Sequence, residues 1–280
     1  MPFQFKSLRL VVGLVLTSTV WMGTPARADD DQPFVTLYST DIEAGGSGDF
    51  EQWLLWKTGH AGASYDEYLS QSELEYGITD DLQGSIYLNY DRSRDRPASG
   101  PADSDSLVGA QLELIYRVLN VHTDPFGLAF YVEPSYSTEE HGIETKILLQ
   151  KNFVGDKLRW VANVNFEDDW DRDQGTWNKV SALEFDTGAS YLIGSRFSAG
   201  LEFDNERAFD GLVLGGAASQ STSAYYLGPT LHYDGEPFDV TLGCEAQLPW
   251  AESHDSGLLH EGTVADAERY RIILRLNFDL

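Results

Sequence analysis

A two-residue alternation of apolar and ionisable side chains recurs along most of the chain and constrains its fold more than any other feature. Between residues 269 and 280, every even position is apolar or aromatic, whereas Arg269, Arg271 and Arg275 occupy odd positions. Successive side chains of a β-strand point to opposite faces of the sheet. The pattern therefore predicts a strand with one apolar and one charged face.

Similar runs of roughly nine to twelve residues recur about twelve times, and this length suits a tilted, membrane-spanning strand. We therefore predict an all-β fold, an antiparallel transmembrane up-and-down β-barrel of about 12 strands. Short links such as 79–81 and 154–157 alternate with longer polar links such as 94–105 and 251–268. Bacterial barrels show this alternation, with the short turns in the periplasm. The predicted strands cover residues 47–58, 66–78, 82–93, 106–118, 126–137, 142–153, 158–169, 179–191, 197–207, 223–233, 238–249 and 269–280.

The charged face carries too many ionisable groups for a dry core, because unpaired buried charge is heavily penalised. We expect this face to line a hydrated lumen, while the apolar face meets lipid and its aromatic residues form two interfacial girdles. Lys151 is the one exception on the apolar face, and it falls near a rim, where its cost is small. A soluble β-sandwich stays open as the alternative fold. The predicted lumen-lining charges are Glu51, Glu73, Glu75, Glu113, Glu133, Lys146, Arg159, Glu184, Glu202, Glu245, Arg271 and Arg275.

The amino terminus has the pattern of a secretory signal peptide. Lys6 and Arg9 precede an uncharged, mainly apolar run over residues 10–22, and Ala26-Arg27-Ala28 supplies a small-x-small cleavage pattern. We expect a signal peptide over residues 1–28 with cleavage after Ala28, a periplasmic N-terminal segment over 29–46 and the barrel over 47–280. An even strand count predicts that both ends of the barrel lie on the periplasmic side of the outer membrane.

Charge and cysteine content exclude several classes of protein. The formal net charge is −26, which argues against nucleic acid as a partner because phosphate binding needs a basic face. Cys244 is the only cysteine, so the chain has neither an intramolecular disulfide nor a cysteine-based zinc cluster. We expect Cys244 to face lipid as a small apolar residue.

One hairpin resembles a motif of proteobacterial outer-membrane barrels. Residues 73–82 read Glu-Leu-Glu-Tyr-Gly-Ile-Thr-Asp-Asp-Leu, and an alternating strand with Ile-Tyr-Leu at 86–88 follows. This hairpin is similar to one in the transporter family of the phenol meta-degradation pathway and in related barrels. The resemblance implies passage of small, often hydrophobic, molecules. The final strand, ending in Leu280, also resembles the signal that barrel-assembly machinery recognises, although that signal usually ends in an aromatic residue.

The leading functional hypothesis is a passive pore or transporter for small solutes. Carboxylates outnumber bases on the predicted lumen face, which favours cationic or neutral solutes over anions. A non-conducting structural or binding barrel that uses its extracellular loops is the alternative. The expected partners are outer-membrane lipid and lipopolysaccharide, the barrel-assembly machinery and a small-molecule solute, and the protein is expected to be a monomer.

Catalysis and metal binding are less favoured. An outer-membrane lipid hydrolase would need a base within hydrogen-bond reach of a serine, and the sequence offers no Gly-x-Ser-x-Gly elbow. The histidines other than His232 fall in predicted loops or turns, and His232 is expected to face the lumen. Neither the His254-Asp255 and His260-Glu261 pairs nor the acids at 168–173 match a closed metal site. We therefore predict no catalytic residues, no metal and no cofactor.

Overall fold

A computed structural model gives the fold of the chain. It describes residues 32–60, 63–96, 102–136, 140–173, 176–213, 219–235, 237–250, 252–253 and 268–280. The predicted signal peptide with its cleavage site at Ala28 lies outside the described residues, as do His254 and His260. No helix in these ranges is long and apolar enough to cross a bilayer.

The described chain forms a closed antiparallel barrel in which twelve strands make the ring. Neighbours in sequence pair from β1 to β11, and the ring closes because β13 pairs with both β11 and β1. The two-residue β12 pairs with β10 beyond the end of β11. The strands are β1 (Gly48–His60), β2 (Ala63–Thr79), β3 (Leu82–Arg96), β4 (Ala102–Leu119), β5 (Gly127–Tyr136), β6 (Glu140–Phe153), β7 (Leu158–Asp173), β8 (Thr176–Ile193), β9 (Phe197–Asp210), β10 (Ser219–Tyr233), β11 (Phe238–Gln247), β12 (Glu252–Ser253) and β13 (Tyr270–Asp279).

The predicted barrel and its strand count are confirmed, but several strands are longer than predicted. β8 has 18 residues and β2 has 17. Most of the extra residues lie at the end of the barrel with the longer predicted links, here called the long-loop rim; the opposite end is the short-turn rim. The link predicted over 94–105 is consequently mostly strand, since Arg94 lies opposite Asp103 in the β3–β4 ladder. Polar residues had suggested a loop there, but backbone pairing continues regardless of side-chain polarity.

The two faces of the wall have the orientation of a membrane barrel and not of a soluble sandwich. Outward-facing Ile86 and Leu88 are more than half exposed, whereas inward-facing Glu113 and Glu202 are completely buried. Exposed aromatic side chains mark both rims, as Tyr76 and Tyr68 do on β2. Those two are eight residues apart, about 26 Å along the strand, which suits the thickness of an apolar membrane band. Cys244 is exposed on the outer wall.

The interior is not formed by the wall alone. Residues 32–46, here called the N-terminal segment, lie in the lumen, where Phe34, Val35, Leu37, Thr40 and Glu43 are completely buried. Residues 29–46 are predicted to form a separate periplasmic segment, and the described part of that range, residues 32–46, packs against the inner wall of the barrel. Its backbone meets side chains more than 100 residues away in sequence, which no local pattern encodes.

Candidate functional site: the lumen

Glu202 of β9 anchors the first part of the N-terminal segment. Its Oε1 atom accepts a hydrogen bond from the backbone N–H of Val35 at 2.7 Å. Its Oε2 atom accepts from the backbone N–H of Thr36 at 2.9 Å and from the Thr36 hydroxyl at 2.6 Å. Thus a carboxylate predicted to line a wet wall instead satisfies backbone donors of an extended chain, which a buried backbone requires.

Amide side chains of the wall hold the rest of the segment. Asn163 of β7 accepts from the N–H of Tyr38 at 2.8 Å and donates to its carbonyl at 2.9 Å. Gln150 of β6 accepts from the N–H of Thr40 at 2.8 Å, and Gln83 of β3 accepts from that of Glu43 at 2.8 Å. The amides therefore replace the neighbouring strand that an extended chain would otherwise need for its hydrogen bonds.

Apolar contacts and wall glycines complete the fit. Phe34 and Leu37 pack on Val161 in one buried cluster. At inward-facing Gly243 of β11, a Cβ atom would lie 2.3 Å from a methyl group of Val35. The absence of a side chain at this position therefore lets the segment approach the wall backbone.

Asp41 joins the segment to the short-turn rim through two basic groups. Its Oδ1 atom lies 3.0 Å from Nε2 of His122 in the β4–β5 connection, and its Oδ2 atom lies 3.7 Å from the Arg159 guanidinium of β7. Gln150 also donates to Asp41 at 2.7 Å. Burial by itself raises the pKa of Asp41, but the hydrogen bond with His122 and the charge of Arg159 outweigh it and lower that pKa below its ordinary value.

Three of the predicted lumen charges form one acidic group near the short-turn rim. Glu51, Glu73 and Glu75 each bring one oxygen to within 4.8 Å of the others. The guanidinium of Arg275 binds both oxygens of Glu51 and also donates to the carbonyl of Phe34 at 3.1 Å. This geometry is the nearest approach to a metal site among the described residues, but Arg275 already supplies a cation to it.

Glu113 lies beneath the middle of the N-terminal segment. It accepts hydrogen bonds from the Ser85 hydroxyl at 3.3 Å and from the Tyr38 hydroxyl at 3.4 Å. Burial, together with the nearby carboxylates of Glu113 and Glu73, raises the pKa of Tyr38 well above its usual value. Tyr38 therefore stays protonated and remains a hydrogen-bond donor.

The other predicted charges lie on the long-loop side of the segment, around a cavity of about 310 Å³ that we call the chamber. Glu133, Lys146, Glu184 and Arg271 line it, and Glu245 is buried beside it, 4.0 Å from Arg271. The guanidinium of Arg271 also binds Glu206 and lies 3.6 Å from the ring centroid of Tyr226. The twelve predicted charges thus fall into two groups. One lies near the N-terminal segment on the short-turn side, and the other lies at or beside the chamber.

Several residues of the chamber were missed. Glu144, Asp186, Asp204 and Glu206 line it, and each is two residues from a predicted lumen charge or from another of these acids. The period-two rule was therefore sufficient to find them. The segment residues Thr36 and Tyr38, which also line the chamber, belong to no strand, and no periodic signal marks them. His60 and His141 also differ from prediction, since both lie in strands.

Residues 26–280 match a family described as "Family of unknown function (DUF6662)". The chain belongs to this family. No curated protein sequence matches it significantly.

The fold is similar to that of two solved barrels. One is the COG4313 outer membrane channel from Pseudomonas putida F1, with a TM-score of 0.56 and 13% identity over 84% of this chain and 96% of that one. The other is the NanC porin, with a TM-score of 0.52 and 11% identity over 83% of this chain and 100% of that one. At these identities the likeness shows the fold. These two structures do not test the resemblance to the phenol-pathway transporter family, which stays a prediction.

Proposed function

We propose that the chain is a passive outer-membrane channel for small solutes, narrowed from within by its N-terminal segment. The observation that carries this proposal is a polar, acid-rich chamber enclosed by a barrel whose outer surface is apolar. The two similar solved barrels, one a channel and the other a porin, support the same role. In this proposal the short-turn rim and both ends of the barrel face the periplasm.

The lining of the chamber favours polar solutes. Its many carboxylates raise the local concentration of cations and repel anions. The resemblance to phenol-pathway barrels implies hydrophobic solutes, whereas the chamber supports the neutral or cationic part of the expectation. The twelve predicted charges act here as structural anchors on the short-turn side and as a selectivity surface in the chamber.

Bilayer conductance tests the proposal directly. We expect the mature protein to conduct weakly and to prefer cations. A variant lacking residues 32–43 should conduct severalfold better, because the chain that crosses the lumen is removed. Heat-modifiable gel mobility checks that both proteins form barrels. Anion selectivity, or equal conductance of two folded proteins, would contradict the proposal.

A non-conducting binding barrel is the second candidate, favoured by the hydrogen bonds that fix the segment across the short-turn side. Liposome swelling distinguishes the two, because a binding barrel admits no solute. In either case we propose a monomer without catalytic residues or cofactor, inserted by the barrel-assembly machinery. Its outer surface would contact outer-membrane lipid and lipopolysaccharide.

A further inference from the structure

The chamber contains more negative charge than its own bases neutralise. Lys146 lies 3.1 Å from Glu144, and Arg271 binds Glu206 through two nitrogens. Among the described residues, the remaining acids have no basic partner of this kind. Six carboxylates and two bases line the chamber: Glu133, Glu144, Glu184, Asp186, Asp204, Glu206, Lys146 and Arg271.

Three side chains of the chamber wall are deeply buried, and each has an oxygen that accepts no hydrogen bond from the part of the chain that the structure describes. These oxygens are Oδ1 of Asp186, Oδ2 of Asp204 and Oδ1 of Asn165. The three residues are 7%, 3% and 6% exposed. Leaving a buried acceptor without a donor costs roughly 1–3 kcal/mol, so these atoms point to a ligand that brings donors.

The other polar atoms of Asn165 and Asp186 already form hydrogen bonds, which orients their side chains. Asn165 donates to Asp186 at 2.7 Å and to Glu184 at 3.0 Å. Oδ1 of Asp204 lies 3.2 Å from the Thr36 hydroxyl, whose proton is closer to Glu202. Asp186 and Asp204 lie directly opposite each other in the β8–β9 ladder. The free oxygens therefore belong to one patch of wall that is rich in hydrogen-bond acceptors.

The described acids of this patch do not form a cluster of three metal ligands. Within the described ranges, the only three acidic or histidine side chains whose ligand atoms lie within 4.8 Å of one another are those of the acidic group near the short-turn rim. The acids of the chamber are spread along its wall. Separated acceptors suit a ligand whose positive charges are also separated.

The chamber already holds an ammonium group of its own. The Nζ atom of Lys146 lies 3.1 Å from Glu144 and 4.4 Å from the ring centroids of both Tyr38 and Tyr131. A carboxylate combined with aromatic faces is a favourable environment for an organic cation. The internal lysine thus shows which chemistry this wall accommodates.

We propose that the chamber binds a small organic cation with two or more ammonium groups joined by an aliphatic spacer. Asp186 and Asp204 hold one ammonium group, and Glu184 or Glu133 holds the other. This inference rests on the proposed function, in which solutes enter the chamber. It names the class of solute that the chamber retains.

Calorimetric titration of the purified barrel in detergent at low ionic strength tests the inference. The probe is diaminobutane, with butanediol as the uncharged solute of equal spacer length and Mg²⁺ as the divalent cation without a spacer. We expect diaminobutane to bind more tightly than either. The double variant Asp186→Asn and Asp204→Asn should weaken its binding at least about tenfold, because two partly desolvated carboxylates are lost.

A matched control is the double variant Asp156→Asn and Asp279→Asn, which removes the same charge from exposed positions. It should bind diaminobutane like the wild type, and gel mobility verifies that both variants fold. Equal loss in both variants, equal binding of Mg²⁺, or no binding at all would overturn the inference. Conductance without binding would overturn the inference alone. Binding without conductance would support it and overturn the proposed channel.

Discussion

Two acids of β9 show how differently the two sides of the lumen are used. Glu202 and Asp204 are two residues apart, share the inward face and are both almost completely buried. Both oxygens of Glu202 accept hydrogen bonds from the N-terminal segment, whereas one oxygen of Asp204 accepts none from any described residue. Residue type and burial are therefore poor guides to the role of a lumen acid. The course of the segment determines which acids are structural and which face the chamber.

The largest expected effect comes from removing Glu202, which anchors the segment. Glu184, an acid of the chamber, is the matched comparison. Glu202→Ala should destabilise the barrel by about 2–5 kcal/mol, because one buried and two partly buried donors of the segment lose their acceptor. Glu184→Ala should cost much less, because Glu184 binds no segment residue among the contacts described. Equilibrium urea unfolding in detergent micelles measures both. Equal losses would remove the distinction between the two sides.

A smaller effect is expected from acidification, and it should be confined to the segment. The native pKa of Asp41 is lowered, so its ionised form stabilises the folded state above the unfolded pKa of about 4. This stabilisation is lost as the pH falls through the lowered native pKa. The protection of residues 38–43 against hydrogen exchange, measured relative to the intrinsic exchange rate at each pH, should therefore fall in acid.

Asp41→Asn is the variant that tests this assignment. It should lose roughly 1–3 kcal/mol of segment protection at neutral pH and show a weaker acid dependence than the wild type. Asp156→Asn, at an exposed turn, is the control and should keep the wild-type profile. An unchanged acid dependence in the Asp41 variant would assign the effect to other carboxylates.

The smallest expected effect on stability comes from a substitution in a turn of the barrel wall, away from the segment. Val154 in the β6–β7 turn has a φ of 57°, a left-handed conformation that is unfavourable for a β-branched residue. Val154→Asn should stabilise the barrel by about 1 kcal/mol, because Asn tolerates this conformation. Hydrogen exchange of the segment should not change. Urea unfolding measures the gain, and Val154→Ile should show none.

The periodicity of the sequence was sufficient to locate the strands of the barrel wall. Each predicted strand overlaps an observed one, because alternation is a local property of consecutive residues. The orientation of the faces also followed from the sequence, since charges such as Glu113 and Arg275 exclude a dry interior. The same two-residue alternation also places Asp186 and Asp204 on the inward face.

The sequence alone therefore determined the barrel, its strand count and the polarity of its lumen. Only the tertiary structure decided that residues 32–46 occupy this lumen, because Asn163 and Gln150 meet backbone groups more than 100 residues away. An amide on a strand has the same sequence signature whether it binds water or a crossing chain. Thr36 and Tyr38 of the crossing chain line the chamber, so the position of the chamber depends on the same long-range hydrogen bonds.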